Sequence, residues 1–263
     1  MKNAILLCAV LLTISLAWLS CAQDDHVVNS TKYFAEEPFS FNVGLQDQTR
    51  FRLEGIAGTV EVTGRSDVTS ITISGERRVE SSSTADAERR LEDLQVEVQD
   101  LTNEVLVKTV QPEDTEGANY VVNYTITLPQ DLEVKIGNVT GNVAVDSVDN
   151  KVSVYCVTGN ISLNEINGSA FVVLITGNVS CKMILPPDGV IDLSTVTGNM
   201  VLQIPEETSA QLSANVITGT INVSGLTLQD QNISTTSVSG QLGDGNGTIL
   251  LRVITGTLSI SGF

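Results

Sequence analysis

The sequence predicts an all-β fold, and within that class a single-stranded, parallel, right-handed β-helix. Its rungs are 18–21 residues long, with one short inserted helix near residues 84–94. Three observations predict it. A Thr-Gly-Asn triplet recurs at Gly141, Gly159, Gly177 and Gly198, and related triplets follow at Gly219, Gly240 and Gly256, with spacings of 18, 18, 21, 21, 21 and 16 residues. Apolar and polar residues alternate on both sides of each triplet, the period of a strand with one face buried. A strand, a glycine corner and another strand repeat every 18 to 21 residues; one such unit cannot bury its apolar face alone, but stacked units share a continuous interior.

Each segment follows in order. Residues 1–21 read as an export signal: Met1-Lys2-Asn3 is a short basic start, and Ala4 to Leu19 is apolar except for Thr13 and Ser15. That run is short for a membrane span and suits the apolar part of a signal peptide. Two processing routes stay open. Ser20-Cys21-Ala22 fits ordinary cleavage before Gln23. Trp18-Leu19-Ser20-Cys21 resembles a bacterial lipobox that would make Cys21 the lipid-bearing first residue, although Trp18 departs from the usual Leu. Two acyl chains anchor stably where one does not. Ala22 after the cysteine resembles the sorting pattern of outer-membrane lipoproteins, so the expected address is the bacterial cell envelope. Residues 22–37 read as a polar tether.

Residues 38–135 read as early rungs with an insertion. Phe51–Leu53, Thr59–Val62 and Ser70–Ser74 read as strands, and Ala57-Gly58-Thr59 is an early relative of the repeat. Ser83 to Leu94 then reads as a helix, with Ser or Thr as N-cap and acids in its first turn. It serves as a lateral cover, because an open solenoid end exposes unpaired backbone groups. Val105–Val110 and Val121–Leu128 resume the strands.

Residues 136–263 carry the regular repeat. Two residues before each glycine stand Val139, Val157, Ile175, Val196, Ile217, Val238 and Ile254; two after stand Val143, Ile161, Val179, Met200, Ile221, Leu242 and Leu258. Both columns read as core. Stacked rungs superpose like residues at about 4.8 Å, so eight rungs make a rod about 40 Å long. Gly58, Gly141, Gly159, Gly177, Gly198, Gly219, Gly240 and Gly256 are the expected corners, where the backbone needs positive φ or close approach. Asn142, Asn160, Asn178 and Asn199 are the expected ladder, each bonding its copy above and below. The sequence ends on Ser261-Gly262-Phe263 directly after a strand, so the last rung reads as a bare edge.

Composition excludes several functions. Fourteen Lys plus Arg stand against 31 Asp plus Glu, a formal charge of −17, which removes the electrostatic basis for binding nucleic acid. The one histidine, His26, excludes His-based triads and multi-His metal sites. Cys8 lies in the signal, leaving Cys156 and Cys181 in apolar alternating runs. They read as buried thiols behaving as small hydrophobes, with a disulfide between them still open.

Leu53-Glu54-Gly55-Ile56-Ala57-Gly58-Thr59-Val60-Glu61-Val62 resembles the opening rung of a bacterial family of β-strand-repeat proteins named "putative adhesin", related to head-GIN-type auto-transporter adhesins. Tyr124 to Pro129, Leu132-Glu133-Val134 and Gly141 to Val145 resemble that family's entry into its repeats, and the likeness covers residues 38–263. It implies an exported envelope protein with a β-helical body.

No enzyme is expected, and no cofactor. The acids after Ile136 scatter across turns in rung register. Glu206-Glu207 follows Pro205, and Asp188-Gly189 follows Pro186-Pro187, which is turn chemistry. Asp244-Gly245-Asn246-Gly247 hints at a calcium loop but lacks EF-hand spacing and a closing Glu, so it reads as a turn. Tyr155 lies on the outward phase. Two function classes remain: a non-catalytic envelope protein whose Ser/Thr/Asn face meets a surface or polymer, and a self-associating element that pairs through its terminal rung. A polysaccharide-active β-helix enzyme is a distant third. Membrane contact is expected through a lipid anchor only.

Overall fold

The computed structural model describes residues 33–263. The signal segment, Cys21 and most of the tether lie outside them. The described chain is all-β with one short helix, as its alternation requires, and is 67% strand. Its 19 strands form one sheet that curls into a nearly closed, barrel-like body. No helix among the described residues is long and apolar enough to cross a membrane.

The sheet is mixed rather than purely parallel, which corrects the expectation of a parallel β-helix throughout. The parallel part consists of two stacks joined through glycine corners. The first stack runs β6 (Glu104–Val110), β2 (Arg50–Glu54), β8 (Glu133–Thr140), β10 (Val152–Thr158), β12 (Ala170–Thr176) and β14 (Val190–Thr197). The second runs β7 (Asn119–Pro129), β3 (Val60–Arg65), β9 (Val143–Asp146), β11 (Ile161–Asn167), β13 (Val179–Ile184) and β15 (Met200–Ile204). Two long strands, β16 (Ala210–Ser224) and β19 (Gly247–Gly262), each pass through a corner and belong to both stacks.

Antiparallel strands close the ends. β1 (Tyr33–Gly44) pairs with β4 (Ser70–Ser81), and β4 pairs with β7. Residues 33–37, expected in the tether, therefore lie in a sheet. β5 (Gln95–Asp100) flanks β6. At the far end β18 (Ser237–Leu242) lies on the first half of β16, with β17 (Leu228–Ile233) beyond it. The helix α1 (Thr84–Leu91) follows β4 in sequence and packs on β1 and β4. Its N-cap is Ser83, whose hydroxyl accepts from the Asp86 amide, and Asp86 in turn accepts from Arg89 and Arg90. The Ser81 hydroxyl, followed by the Arg90 and Arg89 guanidinium groups, holds the Asp86 carboxyl well below the usual carboxylate range.

The rungs do not stack in chain order. β19 lies between β14/β15 and β16, pairing with all three. The strand expected as a bare terminal edge is interior, and β16 is the last parallel strand. The core runs through the whole body: Phe51, Leu53, Ile73, Ile126, Ile136, Ile161, Leu163, Leu193, Leu202, Leu251 and Ile260 are all 0–1% exposed. Cys156 and Cys181 are free and buried, and burial pushes the Cys181 thiol up to about 12.

Candidate functional site

The corner decides which residues face solvent. Gly58, Gly141, Gly159, Gly177, Gly198, Gly219 and Gly256 have φ between +125° and +152°, where a side chain is strained. They also line up. A Cβ on Gly177 would stand 1.7 Å from the Gly159 carbonyl oxygen, and one on Gly159 would stand 2.0 Å from that of Gly141. The same contact runs from Gly141 to Gly58, Gly198 to Gly177, Gly256 to Gly198 and Gly219 to Gly256. Gly240 is not in this column. It lies inside β18 opposite Leu212, in an antiparallel pair, and needs no corner.

The asparagine column follows the glycines. Asn142 Oδ1 accepts from the Asn160 amide (2.9 Å) and Asn160 Oδ1 from the Asn178 amide (3.1 Å). Asn178 Oδ1 accepts from the Asn199 amide (3.0 Å), and Asn199 Oδ1 from the Thr257 amide (3.0 Å). Each side chain thus satisfies one corner amide of the next rung.

The three-residue corner reverses the pleat. Residues three before and two after each glycine point inward: Cys156 and Ile161, Leu174 and Val179 are buried. The residue two before the glycine therefore points out. Val139, Val157, Ile175, Val196, Ile254 and Ile217 are exposed, from 39% at Val196 to 74% at Ile217. This corrects the reading of that column as core. Val238, counted with it, is buried because its glycine is not a corner.

The result is a ribbon of aliphatic side chains crossing six rungs, about 24 Å long at the strand spacing. Thr140, Thr158, Thr176, Thr197, Thr255 and Thr218 stand in register along one side of it, all exposed. On the other side Tyr155 pairs in register with Val173, both exposed. A shallow depression of about 400 Å³ lies here, lined chiefly by Val139, Tyr155, Val157, Val173 and Ile175, with Glu54 also in its wall. Gly137 leaves space beside the Tyr155 ring, and Lys135 Nζ lies 6.0 Å from that ring's centroid. Farther along, the Arg252 guanidinium is held by Asp192 Oδ1 at 2.5 Å.

The ribbon and its threonine row carry no carboxylate, although the chain's formal charge is −17. Its surface is methyl groups, threonine hydroxyls and one tyrosine ring. It can cover an apolar or mixed face of an extended partner.

The other sequence candidates lie elsewhere. Asp188 (φ +60°) sits in the turn before β14, and Gly243 (φ +51°) and Gly245 (φ +75°) shape the turn between β18 and β19. Among the described residues no three His, Cys, Asp or Glu side chains come close enough to hold a metal ion. Sequence reasoning missed the ribbon, although the alternation at Val152, Val154 and Cys156 already placed Val157 outward.

No protein-family profile and no curated protein sequence matches this chain. Solved structures do. A "putative cell adhesion protein" from Clostridium sporogenes is similar at 11% identity and a TM-score of 0.47, over 86% of this chain and 100% of that one. A "putative adhesin" from Bacteroides fragilis is similar at 10% identity and a TM-score of 0.31, over 86% of this chain and 97% of that one. A "putative lipid binding protein" from Parabacteroides distasonis is similar at 12% identity and a TM-score of 0.26, over 86% of this chain and 97% of that one.

Proposed function

We propose that this chain is a non-catalytic cell-envelope protein, exported by its signal segment and held at the outer membrane by lipid on Cys21. Its two parallel stacks act as the coils of a β-solenoid, a stiff support for one interaction face. That face is the ribbon. The observation that carries the reading is the six-rung row of exposed Val and Ile side chains: a contiguous apolar strip on a soluble body marks an interaction surface. Its regularity suits an extended polymer or a flat surface, since each rung repeats the same group at the same height.

The test is co-sedimentation of the purified chain with outer-membrane vesicles and with isolated cell-wall polymer. Val157→Asp and Ile175→Asp each put a charge on the ribbon without touching the core. Binding to one of these materials is expected, and each substitution should weaken it at least about tenfold, as loss of a central apolar contact does, with the melting temperature unchanged. Absence of binding to both, or binding that both variants keep, overturns the reading.

A further inference from the structure

The described sheet has four free edges, and three are guarded against pairing. β1 carries Glu36, Glu37 and Pro38. β5 carries Glu97 and Asp100. β17 breaks register between Gln229 and Asn232, with Asp230 at φ +47°. Charge, proline and bulges are the devices that stop strand addition. The fourth edge has none. β18 covers only Ala210–Asn215 of β16, so the second half of β16 pairs with β19 on one side alone. That half reads Thr218-Gly219-Thr220-Ile221-Asn222-Val223-Ser224, without a charge or a proline.

Part of this edge is already satisfied. The Ile221 amide donates to the Thr235 carbonyl at 3.0 Å on the side away from β19. Strand groups alternate in direction every residue, so Val223 presents its N–H and C=O the same way as Ile221. Among the described residues, no neighbouring segment pairs with β16 at Val223 on that side.

We infer that this edge is a self-association site, where a second copy of the chain adds antiparallel to β16 about a two-fold axis at Val223. The pairing is self-complementary. Val223 meets its own copy through two reciprocal N–H···O=C bonds, and Asn222 stands opposite Ser224 of the copy. The occupant is argued from charge as well. Two bodies of formal charge −17 repel, and the three guarded edge strands all carry acidic residues, whereas the β16 edge carries none. Thr220–Ser224 is the edge at which like-charged copies meet without facing carboxylates. The inference is independent of the ribbon, which lies before the corner, whereas this segment lies beyond it.

Sedimentation velocity decides it. A short strand pair buries less than a standard interface of roughly 1,200 Å², so the dimer should populate at about 100 µM and dissociate on dilution. Val223→Pro removes the outward N–H, and Asn222→Lys brings two like charges beside the axis. Each should raise the dissociation constant at least about tenfold, with unchanged circular dichroism and melting temperature. Ile175→Asp, on the ribbon, should leave the dimer intact. A wild-type monomer at that concentration leaves the edge to an extended peptide of another protein and overturns the inference. So does a dimer that survives both edge variants, one lost with Ile175→Asp, or an open-ended filament.

Discussion

At the scale of single residues, the corner glycine is set by two independent constraints. One is its positive φ, and the other is the carbonyl of the adjacent rung lying where a Cβ would be. At Gly177 both are severe, with φ +139° and a 1.7 Å approach to the Gly159 oxygen. That oxygen is backbone, so no side chain can swing aside. Backbone strain alone costs about 1–3 kcal/mol at such a position, and the collision requires the rungs to part as well. Gly177→Ala should therefore cost at least about 3 kcal/mol in urea unfolding. Gly117→Ala, with φ +81° but nothing within 4 Å of its Cβ, should cost only the strain. Equal losses at the two sites would mean that interlocking rungs play no part. Gly240→Ala gives a third level: φ is not positive there, and its Cβ would meet Gln229 O at 2.9 Å.

At the scale of elements, Tyr124 of β7 and Thr109 of β6 tie the two stacks across the core. Their side-chain oxygens are 2.7 Å apart, and the Phe39 ring of β1 meets the Tyr124 ring edge-on with centroids 5.6 Å apart. Burial pushes the phenol up to about 12, partly opposed by the Thr109 hydrogen bond. An unfolded tyrosine titrates near 10. The folded state therefore holds this proton more tightly, its contribution is complete below pH 10, and it is lost as pH rises from 10 toward 12. The loss reaches about 2–3 kcal/mol. Urea unfolding at pH 8, 10 and 11 should show that decline in the wild type and a shallower one in Tyr124→Phe, which loses about 1 kcal/mol at pH 8 with its hydrogen bond. Parallel declines would remove Tyr124 as the cause. Elements differ in how far the sequence revealed them. The Ser83-capped helix and the strands on either side of each Thr-Gly-Asn were legible because their signals are local. The ribbon was not, because reading outward from the glycine assumes an unbroken pleat, and the three-residue corner shifts its phase. Ser239-Gly240-Gln241 misled for a related reason: Val238 and Leu242 alternate about it as in a true rung, yet the segment runs antiparallel to β16. The edge at Val223 depends on which strand lies last, and the spacing of the repeats does not encode that.

At the scale of the whole molecule, β19 is the strand on which the far end depends. Thr218-Gly219-Thr220 and Thr255-Gly256-Thr257 are interchangeable by local pattern, but the fold places the later one inside the earlier one. β19 buries Ile249, Leu251, Val253, Leu258 and Ile260 to 2% exposure or less, and it is the partner of β14, β15 and β16 at once. At about 1.5–3 kcal/mol per buried aliphatic side chain, those five contribute on the order of 10 kcal/mol, comparable to the whole stability of a typical domain. Stacked repeats, however, contact only their neighbours, so the loss should stay at one end. Deleting residues 247–263 should release β16, β17 and β18, which reach the rest of the sheet through β19. The rungs from β2 to β13 keep both neighbours. Limited proteolysis followed by mass spectrometry should then show rapid cleavage within residues 205–246 and a resistant fragment spanning residues 33–204. Two results would contradict this. General digestion would mean that the body unfolds as one cooperative unit, and continued protection of residues 205–246 would mean that β16 can close directly onto β14 and β15, as the repeat pattern read in chain order would have it.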